Sequence, residues 1–268
     1  MLTIPFVGSK RDRLKEVVDI VKKGGYTRVV EPFGGSCVMS VNAHRHTGAE
    51  CFANDYDRFF ENFEETLQVK DDLMDYLLSK GLKKSKGKKV LPEEHRQILQ
   101  EAVAPLTPNQ RKFLSSNFLF SAKRTSYTGE GVKDFRYFVN DITTEKNRLY
   151  WEALQQITLD NLDYKDFIEK YVPQGDDKTL VLLDPPYLNS YQKSYENETY
   201  FGLSDTIKLL HIITQKEVDY ILFNQRSEDI VALVSLFSDQ FEVFKREKSI
   251  AKGNNIIRED VMIYVTRE

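Results

Sequence analysis

Residues 180–187 read Leu-Val-Leu-Leu-Asp-Pro-Pro-Tyr: four aliphatic side chains, then a carboxylate, two prolines and an aromatic ring. An apolar run of this kind suits a strand buried on both faces of a parallel sheet. Pro185 and Pro186 lack amide hydrogens and have a fixed φ, so the strand stops and the chain leaves it in a stiff direction. Asp184 is thereby set at a carboxyl edge of the sheet, where open α/β folds hold their ligands. Tyr187 adds a flat face beside that carboxylate. Taken alone, the same residues also make an ordinary proline turn, so the octet needs a second group of residues to act with.

Glu31-Pro32-Phe33-Gly34-Gly35-Ser36 is such a group: it follows a β-branched run and precedes a helical pattern. Glycines there let a ligand approach main-chain amides closely. Asp55 stands about 20 residues further on, where a carboxylate can accept hydrogen bonds from ribose hydroxyls. A plain glycine turn followed by an unrelated acid is the competing reading. The dinucleotide pattern Gly-x-Gly-x-x-Gly is absent, so an adenosine-bearing ligand without a pyrophosphate fits better than a nicotinamide or flavin.

The elements that must position these residues are readable in outline. Residues 11–22 carry Leu14, Val17, Val18 and Val21 on one helical face, with Gly24 and Gly25 as a stop. Residues 27–33 form a strand that breaks at Gly34, Ser36 caps a helix to residue 46, and residues 50–54 form the next strand. That order is a βαβ unit. Residues 57–156 change character, with long helical patterns, scattered aromatics and a lysine-rich run around residues 80–89 that reads as a solvated loop. Strands resume at residues 157–159, 180–183 and 220–223, separated by helices at 164–171, 205–215 and 228–237. Two last strands, at 241–245 and 261–265, flank a polar segment containing Gly253, Asn254 and Asn255. The expected architecture is a doubly wound α/β domain, residues 1–56 and 157–268, interrupted by a mainly helical insertion at residues 57–156.

At 268 residues the chain can bury a substantial core, and its net charge of −3 argues against a uniformly basic coat while leaving local patches open. Cys37 and Cys51 are too few for a disulfide framework and have no metal-ligand spacing. Reduced thiols, no apolar run near the ~20 residues that span a bilayer, and no leader pattern lead us to expect a soluble cytoplasmic protein without a metal.

Taken together and in order, these segments resemble the Dam-type DNA adenine methyltransferases, which use S-adenosylmethionine. Pro5-Phe6-Val7-Gly8-Ser9-Lys10 is similar to that family's N-terminal segment, the stretch from Glu31 to Gly35 to its glycine motif, and Asn54-Asp55 to its ribose-binding acid. Asn161-Leu162-Asp163-Tyr164 resembles the motif that meets the cofactor's adenine, and Asp184-Pro185-Pro186-Tyr187 its catalytic signature. Two positions depart: Cys37 stands where a second glycine is usual, and Ser9 where glycine is common. The resemblance implies a Rossmann-like S-adenosylmethionine-dependent domain, mostly parallel with an antiparallel C-terminal strand, carrying an inserted target-recognition domain. It implies that Phe6, Lys10, Glu31, Phe33, Gly34, Gly35, Asp55 and Asp163 bind the cofactor.

It further implies how the signature works. The adenine amino nitrogen is a poor nucleophile because its lone pair is delocalised into the ring. Two acceptors aimed at its hydrogens, the Asp184 carboxylate and the Pro185 carbonyl held by Pro186, would return that pair to nitrogen, while Tyr187 stacks on a base flipped from the duplex. In the insertion, Arg111, Lys112, Asn117, Lys123, Arg124 and Tyr127 combine phosphate-binding cations with groups able to read base edges of double-stranded DNA. Thr128 to Gly131 suggest a hairpin tip, with Lys133 and Arg136 beyond. Ser126 replaces a guanine-reading arginine of the family, with Arg124 two residues away, so no target sequence is assigned. Tyr191, Lys193, Tyr195, Tyr200 and Phe201 belong to a segment that either closes over the flipped base or packs on the insertion. Arg258, Glu259 and Asp260 read as a structural ion-pair cluster. Methylation of cytosine N4, where Ser more often replaces the Asp, and a catalytically silent nucleic-acid binder are the alternatives.

Overall fold

The computed structural model describes residues 1–4, 6, 10–82, 92–118, 144–187, 201–225, 227–249 and 257–267; for residues 112, 115–118, 144, 227, 246–249 and 257–259 it describes the main chain only. They fall into two compact units, Asp12–Asp57 with Ile157–Glu268, and Met1–Arg11 with Arg58–Gln156. Residues 1–11, counted with the α/β unit on the sequence, thus group with the helical one.

A short 3-10 turn at Arg11–Arg13 precedes α1 (Leu14–Gly24) of the α/β unit, which buries Leu14, Val17, Val18 and Val21 as the periodicity predicts. Next come β1 (Arg28–Glu31), α2 (Val38–Thr47) and β2 (Glu50–Asn54). After the helical unit follow β3 (Thr158–Asp160), α7 (Tyr164–Tyr171), β4 (Thr179–Leu183), α8 (Leu203–Gln215), β5 (Asp219–Gln225), α9 (Ser227–Val234), β6 (Phe241–Ser249) and β7 (Ile257–Val265). Among the described residues, seven strands form one sheet in the order β3-β2-β1-β4-β5-β7-β6. The first five run parallel, and β7 is antiparallel to both neighbours.

All five residues of β4 are buried, as a strand covered on both faces requires. Val30, Val181, Leu183, Leu222 and Ile263 share one cluster with Phe167, Leu210, Ile213 and Ile230 from α7, α8 and α9. The alternate residues Val29, Leu180, Leu182, Ile221 and Met262 are buried too. The hairpin of β6 and β7 runs longer than its apolar residues predict, because main-chain pairing continues through Arg246, Glu247 and Lys248 to Ser249 opposite Ile257. Arg13 ties α1 to this hairpin by donating to the carbonyls of Phe244 (3.1 Å) and Asp260 (2.9 Å). The Gly253 segment between these strands lies outside the described residues, as do the side chains of Arg258 and Glu259.

The helical unit contains α3 (Phe63–Ser79), α4 (Glu93–Val103), α5 (Pro108–Phe118) and α6 (Thr144–Leu154). Its core is aromatic: Phe63 lies 4.8 Å from Phe113, 5.1 Å from Phe60 and 5.3 Å from Trp151 between ring centroids. Phe59 joins them and receives Phe6 edge-on at 5.0 Å. Such pairs each add about 0.5–1.5 kcal/mol beyond the area they bury. Residues 83–91, most of the lysine-rich run, lie outside the described residues. No helix among the described residues is long and apolar enough to cross a membrane.

Candidate active site

The order of the sheet reverses direction between β1 and β4, the place where open α/β sheets leave a crevice beyond the strand ends. Glu31, Asp55, Asp163 and Asp184 stand at or just beyond the carboxyl ends of β1, β2, β3 and β4 in turn. Residues separated by more than a hundred positions are therefore brought to one edge.

The loop after β1 is built differently from the sequence expectation at its helix start. Ser36 was expected to cap α2; the N-cap is Cys37, with a left-handed φ of 53° and no side-chain capping bond. The capping oxygen comes instead from the strand. Glu31, 1% exposed, accepts hydrogen bonds at Oε2 from the Ser40 amide (3.1 Å) and hydroxyl (2.5 Å). A carboxylate at a helix N-terminus is favoured both by the free amides and by the helix dipole. Glu31 thus carries a structural duty that a residue nine positions upstream of its partner does not advertise.

Gly34 and Gly35 are needed for distinct reasons. Gly35 has φ +50°, where side chains other than glycine are strained. A Cβ on Gly34 would come within 2.9 Å of the Asn54 carbonyl oxygen and 3.0 Å of Cys37 Sγ. Close approach of β2, whose Asn54 carbonyl accepts the Gly34 amide at 3.2 Å, is reason enough for that glycine. Cys37 fills the space beside it and is fully buried. Burial first, then the charges of Glu31 and Asp55, push its thiol well above the usual range, so it is an inert packing group here.

Asp55 is 8% exposed at the end of β2, and its amide donates to the Asp160 carbonyl at 2.8 Å. Asp163 is exposed and caps α7, accepting from the Lys165 amide at 2.9 Å. Phe33 stacks on Tyr164 (5.3 Å, 29°), and Phe201 meets both rings edge-on. Burial, with Asp163 and Asp205 nearby, pushes the Tyr164 hydroxyl up to about 12. Asp184 is half-buried directly after β4, Pro185 is buried, and Pro186 and Tyr187 are half-buried.

Of the other residues named from the sequence, some belong to the helical unit and some lie outside the described residues. Phe6 and Lys10 belong to the helical unit, and Pro5, Val7, Gly8 and Ser9 lie outside the described residues. Arg111 lies in α5, and its guanidinium donates to the carbonyls of Leu106 (2.8 Å) and Ala104 (3.2 Å), holding the turn between α4 and α5. Lys112 and Asn117 are in the same helix, with side chains outside the description. Lys123, Arg124, Ser126, Tyr127, the tip at residues 128–131, Lys133, Arg136 and residues 188–200 are outside it altogether.

Three residues at this edge carry no role in the sequence reading. Asn54, 1% exposed, and Asn161 make side-chain bonds to main chain across the loops after β1, β2 and β3. Asn224, near the end of β5 and 1% exposed, accepts the Gln225 amide at 2.7 Å, while its Nδ2 has no partner among the described residues. An uncharged amide bonding to distant main chain leaves no periodic or charge signal in sequence. Asn54 and Asn161 lie in segments already singled out by resemblance, whereas for Asn224 only its place at a predicted strand end could have drawn attention to it.

Among known proteins, the chain is similar over 280 residues to a Haemophilus influenzae protein described as "Putative methyltransferase", with 27% identity covering 97% of this chain and 90% of that one. Among solved structures it is similar to the METTL16 methyltransferase domain (TM-score 0.41, 8% identity, covering 100% of this chain and 89% of that one). It is also similar to an O-methyltransferase from Bacillus cereus in complex with SAH (TM-score 0.35, 9% identity, 96% and 82% covered). The family model for D12 class N6 adenine-specific DNA methyltransferases matches residues 6–252, which takes in Glu31, Asp55, Asp163 and the whole Asp-Pro-Pro-Tyr signature. The chain therefore belongs to the D12 class of N6 adenine-specific DNA methyltransferases.

Proposed function

We propose that this methyltransferase moves a methyl group from S-adenosylmethionine to the N6 amino group of an adenine flipped out of double-stranded DNA. The observation that carries the proposal is the position of Asp184-Pro185-Pro186-Tyr187: directly after the buried central strand β4, beside the reversal of strand order, with Asp55 and Asp163 at the ends of β2 and β3.

The donor set fits an adenosine-bearing cofactor. Asp55 is a nearly buried carboxylate suited to ribose hydroxyls, Asp163 an exposed one suited to an exocyclic amine, and the turn at the buried Gly34 and half-buried Gly35 carries no side chain of its own to stand in a ligand's way. Phe33 adds an apolar wall, Glu31 holds the turn in place, and Phe6 and Lys10 are assigned to the methionine end. When bound, S-adenosylmethionine supplies a methyl carbon already activated by its sulfonium, so the chemistry needs no metal. Asp184 and the Pro185 carbonyl accept the two amino hydrogens and concentrate the nitrogen lone pair towards the donor. Because the prolines fix these acceptors before the base arrives, little reorganisation is needed at the moment of reaction. Asp184 then orients the departing amino proton towards solvent, and Tyr187 compensates the stacking lost on flipping.

The helical unit is the target-recognition part, with Arg111, Lys112, Asn117, Lys123, Arg124 and Tyr127 as its DNA contacts. The test is transfer of labelled methyl from S-adenosylmethionine to unmethylated duplex DNA of varied sequence, with nucleoside analysis. Labelled N6-methyladenine is expected. N4-methylcytosine would move the assignment to the other amino base, and no labelled nucleoside would overturn the proposal.

A further inference from the structure

Asn54 and Asn161 end adjacent strands, and each side chain reaches into the other's loop. Asn54 Nδ2 donates to the Pro32 carbonyl (3.0 Å) and the Leu162 carbonyl (2.8 Å), while its Oδ1 accepts the Leu162 amide (3.0 Å). Because Oδ1 faces an N–H and Nδ2 faces two carbonyls, the amide can sit only one way round. Asn161 answers by donating from Nδ2 to the carbonyls of Asp55 and Tyr56, both at 2.7 Å. Main-chain bonds run alongside: the Asp55 amide to the Asp160 carbonyl at 2.8 Å, and the Gly34 amide to the Asn54 carbonyl at 3.2 Å.

We infer that Asn54 and Asn161 form a reciprocal clasp that presets the spacing of the adenosine site, and that they are positioning residues for cofactor affinity. The inference rests on the assignment of Asp55 and Asp163 to ribose and adenine under the proposed function. Asp55 follows Asn54 directly, and Asp163 follows the Leu162 whose main chain Asn54 holds at both ends. Asn54 also fixes Pro32, so the glycine turn shares the same anchor. A flexible ligand-binding edge would spend binding energy on ordering these loops; a clasped one has them ordered beforehand. No residue of similar size replaces Asn54. Aspartate would set a carboxylate against two carbonyl oxygens, and leucine would leave three main-chain groups unpaired.

The test measures S-adenosylmethionine binding to the full chain by calorimetry, kcat at saturating cofactor, and the thermal unfolding midpoint, for Asn54→Asp, Asn161→Ala and the double variant. Leaving buried polar groups without partners is unfavourable, so Asn54→Asp is expected to weaken cofactor binding about 10- to 100-fold. Asn161→Ala, on a half-buried side chain, should weaken it about 3- to 10-fold. The double variant should lose less than the product of the two, because both side chains hold the same pair of loops. kcat at saturation should stay within about threefold, since neither residue touches the reacting atoms. Cofactor affinity unchanged within about twofold, with only a lower unfolding midpoint, would overturn the clasp and leave both residues as ordinary loop supports. Should Asn54→Asp fail to fold, Asn161→Ala decides by the same criterion. Absence of cofactor binding by the unsubstituted chain would instead overturn the proposed function on which the clasp rests.

Discussion

The two units bury their cores by different means. In the α/β unit, Val, Leu and Ile alternate across a sheet covered on both faces, and the polar residues gather at one edge, bonded to main chain from distant segments. In the helical unit, Phe59, Phe60, Phe63, Phe113, Tyr150 and Trp151 meet ring to ring between helices. An aliphatic sheet core registers every strand against its neighbours, so a side chain at one strand end is placed relative to those at all the others. An aromatic cluster gives large burial per residue without such a register. The first design suits chemistry, where acceptors must be fixed in advance. The second suits a platform that carries recognition residues.

Phe63→Ala should have the largest effect, since Phe63 is 1% exposed and touches four other rings among the described residues. Removing so large a buried ring costs about 3–5 kcal/mol. If the units are energetically separate cores, chemical denaturation should show the helical unit unfolding earlier while the α/β unit keeps its own midpoint. A single transition at a lowered midpoint would show that one cooperative core spans both. Under the proposed function, Asp184→Ala acts on the other unit and should change rate alone. Loss of a preorganised group at a reacting atom costs about 100- to 1,000-fold in kcat. Cofactor binding should persist, and methylation at the unsubstituted rate would show that the acceptor is another group.

The difference also explains what could be read from the chain. The strand at Glu50–Asn54 and the helix at Tyr164–Tyr171 match their expected limits, because an apolar period and a clear stop occur together there. The signature at residues 184–187 was legible because two prolines after four aliphatic residues admit few local structures. The cap of α2 was not legible: Glu31 reaches Ser40 only once the turn between them has folded, whereas Ser36 satisfied the local rule. The ends of β6 and β7 were missed because Arg246, Glu247 and Lys248 carry no apolar alternation and are held by main-chain pairing. In the helical unit, rings spaced for a cluster blurred the helical period, so the chain shows long helical patterns without the limits of α3, α4, α5 and α6.

Within the helical unit, the cations assigned to DNA should not behave alike. Lys123→Ala and Arg124→Ala should each lower the slope of log affinity against log salt by about one, with cofactor affinity unchanged. Arg111 differs, because its guanidinium already holds two carbonyls between α4 and α5. Arg111→Ala should mainly reduce stability, by about 0.5–1.5 kcal/mol because the exposed Ala104 carbonyl regains water, and change the salt slope less than either of the others. Equal slopes for all three would place Arg111 among the phosphate contacts.

The smallest effect expected is at the site edge itself. Asp160 accepts from Lys170 Nζ (2.7 Å), from the Tyr171 hydroxyl (2.9 Å) and from the Asn161 amide (2.8 Å). The Lys170 bond first, then the Asn161 and Tyr171 bonds, hold its carboxyl below the usual range against the opposing effect of burial. A carboxyl lowered on folding contributes stability above its unfolded value, near 3.9, and loses it as pH falls through the lower native value. Lys170 is solvated, so the contribution is that of a screened surface ion pair and is small. Asp160→Asn should therefore lower stability slightly at neutral pH and flatten its decline below about pH 4. Tyr171 stacks on Phe52 at 4.7 Å, so the ring keeps its place without the carboxylate and β2 should stay anchored. A decline below pH 4 as steep as that of the unsubstituted chain would mean that other carboxylates control acid stability, and that Asp160 serves only to orient the Asn161 amide in the clasp.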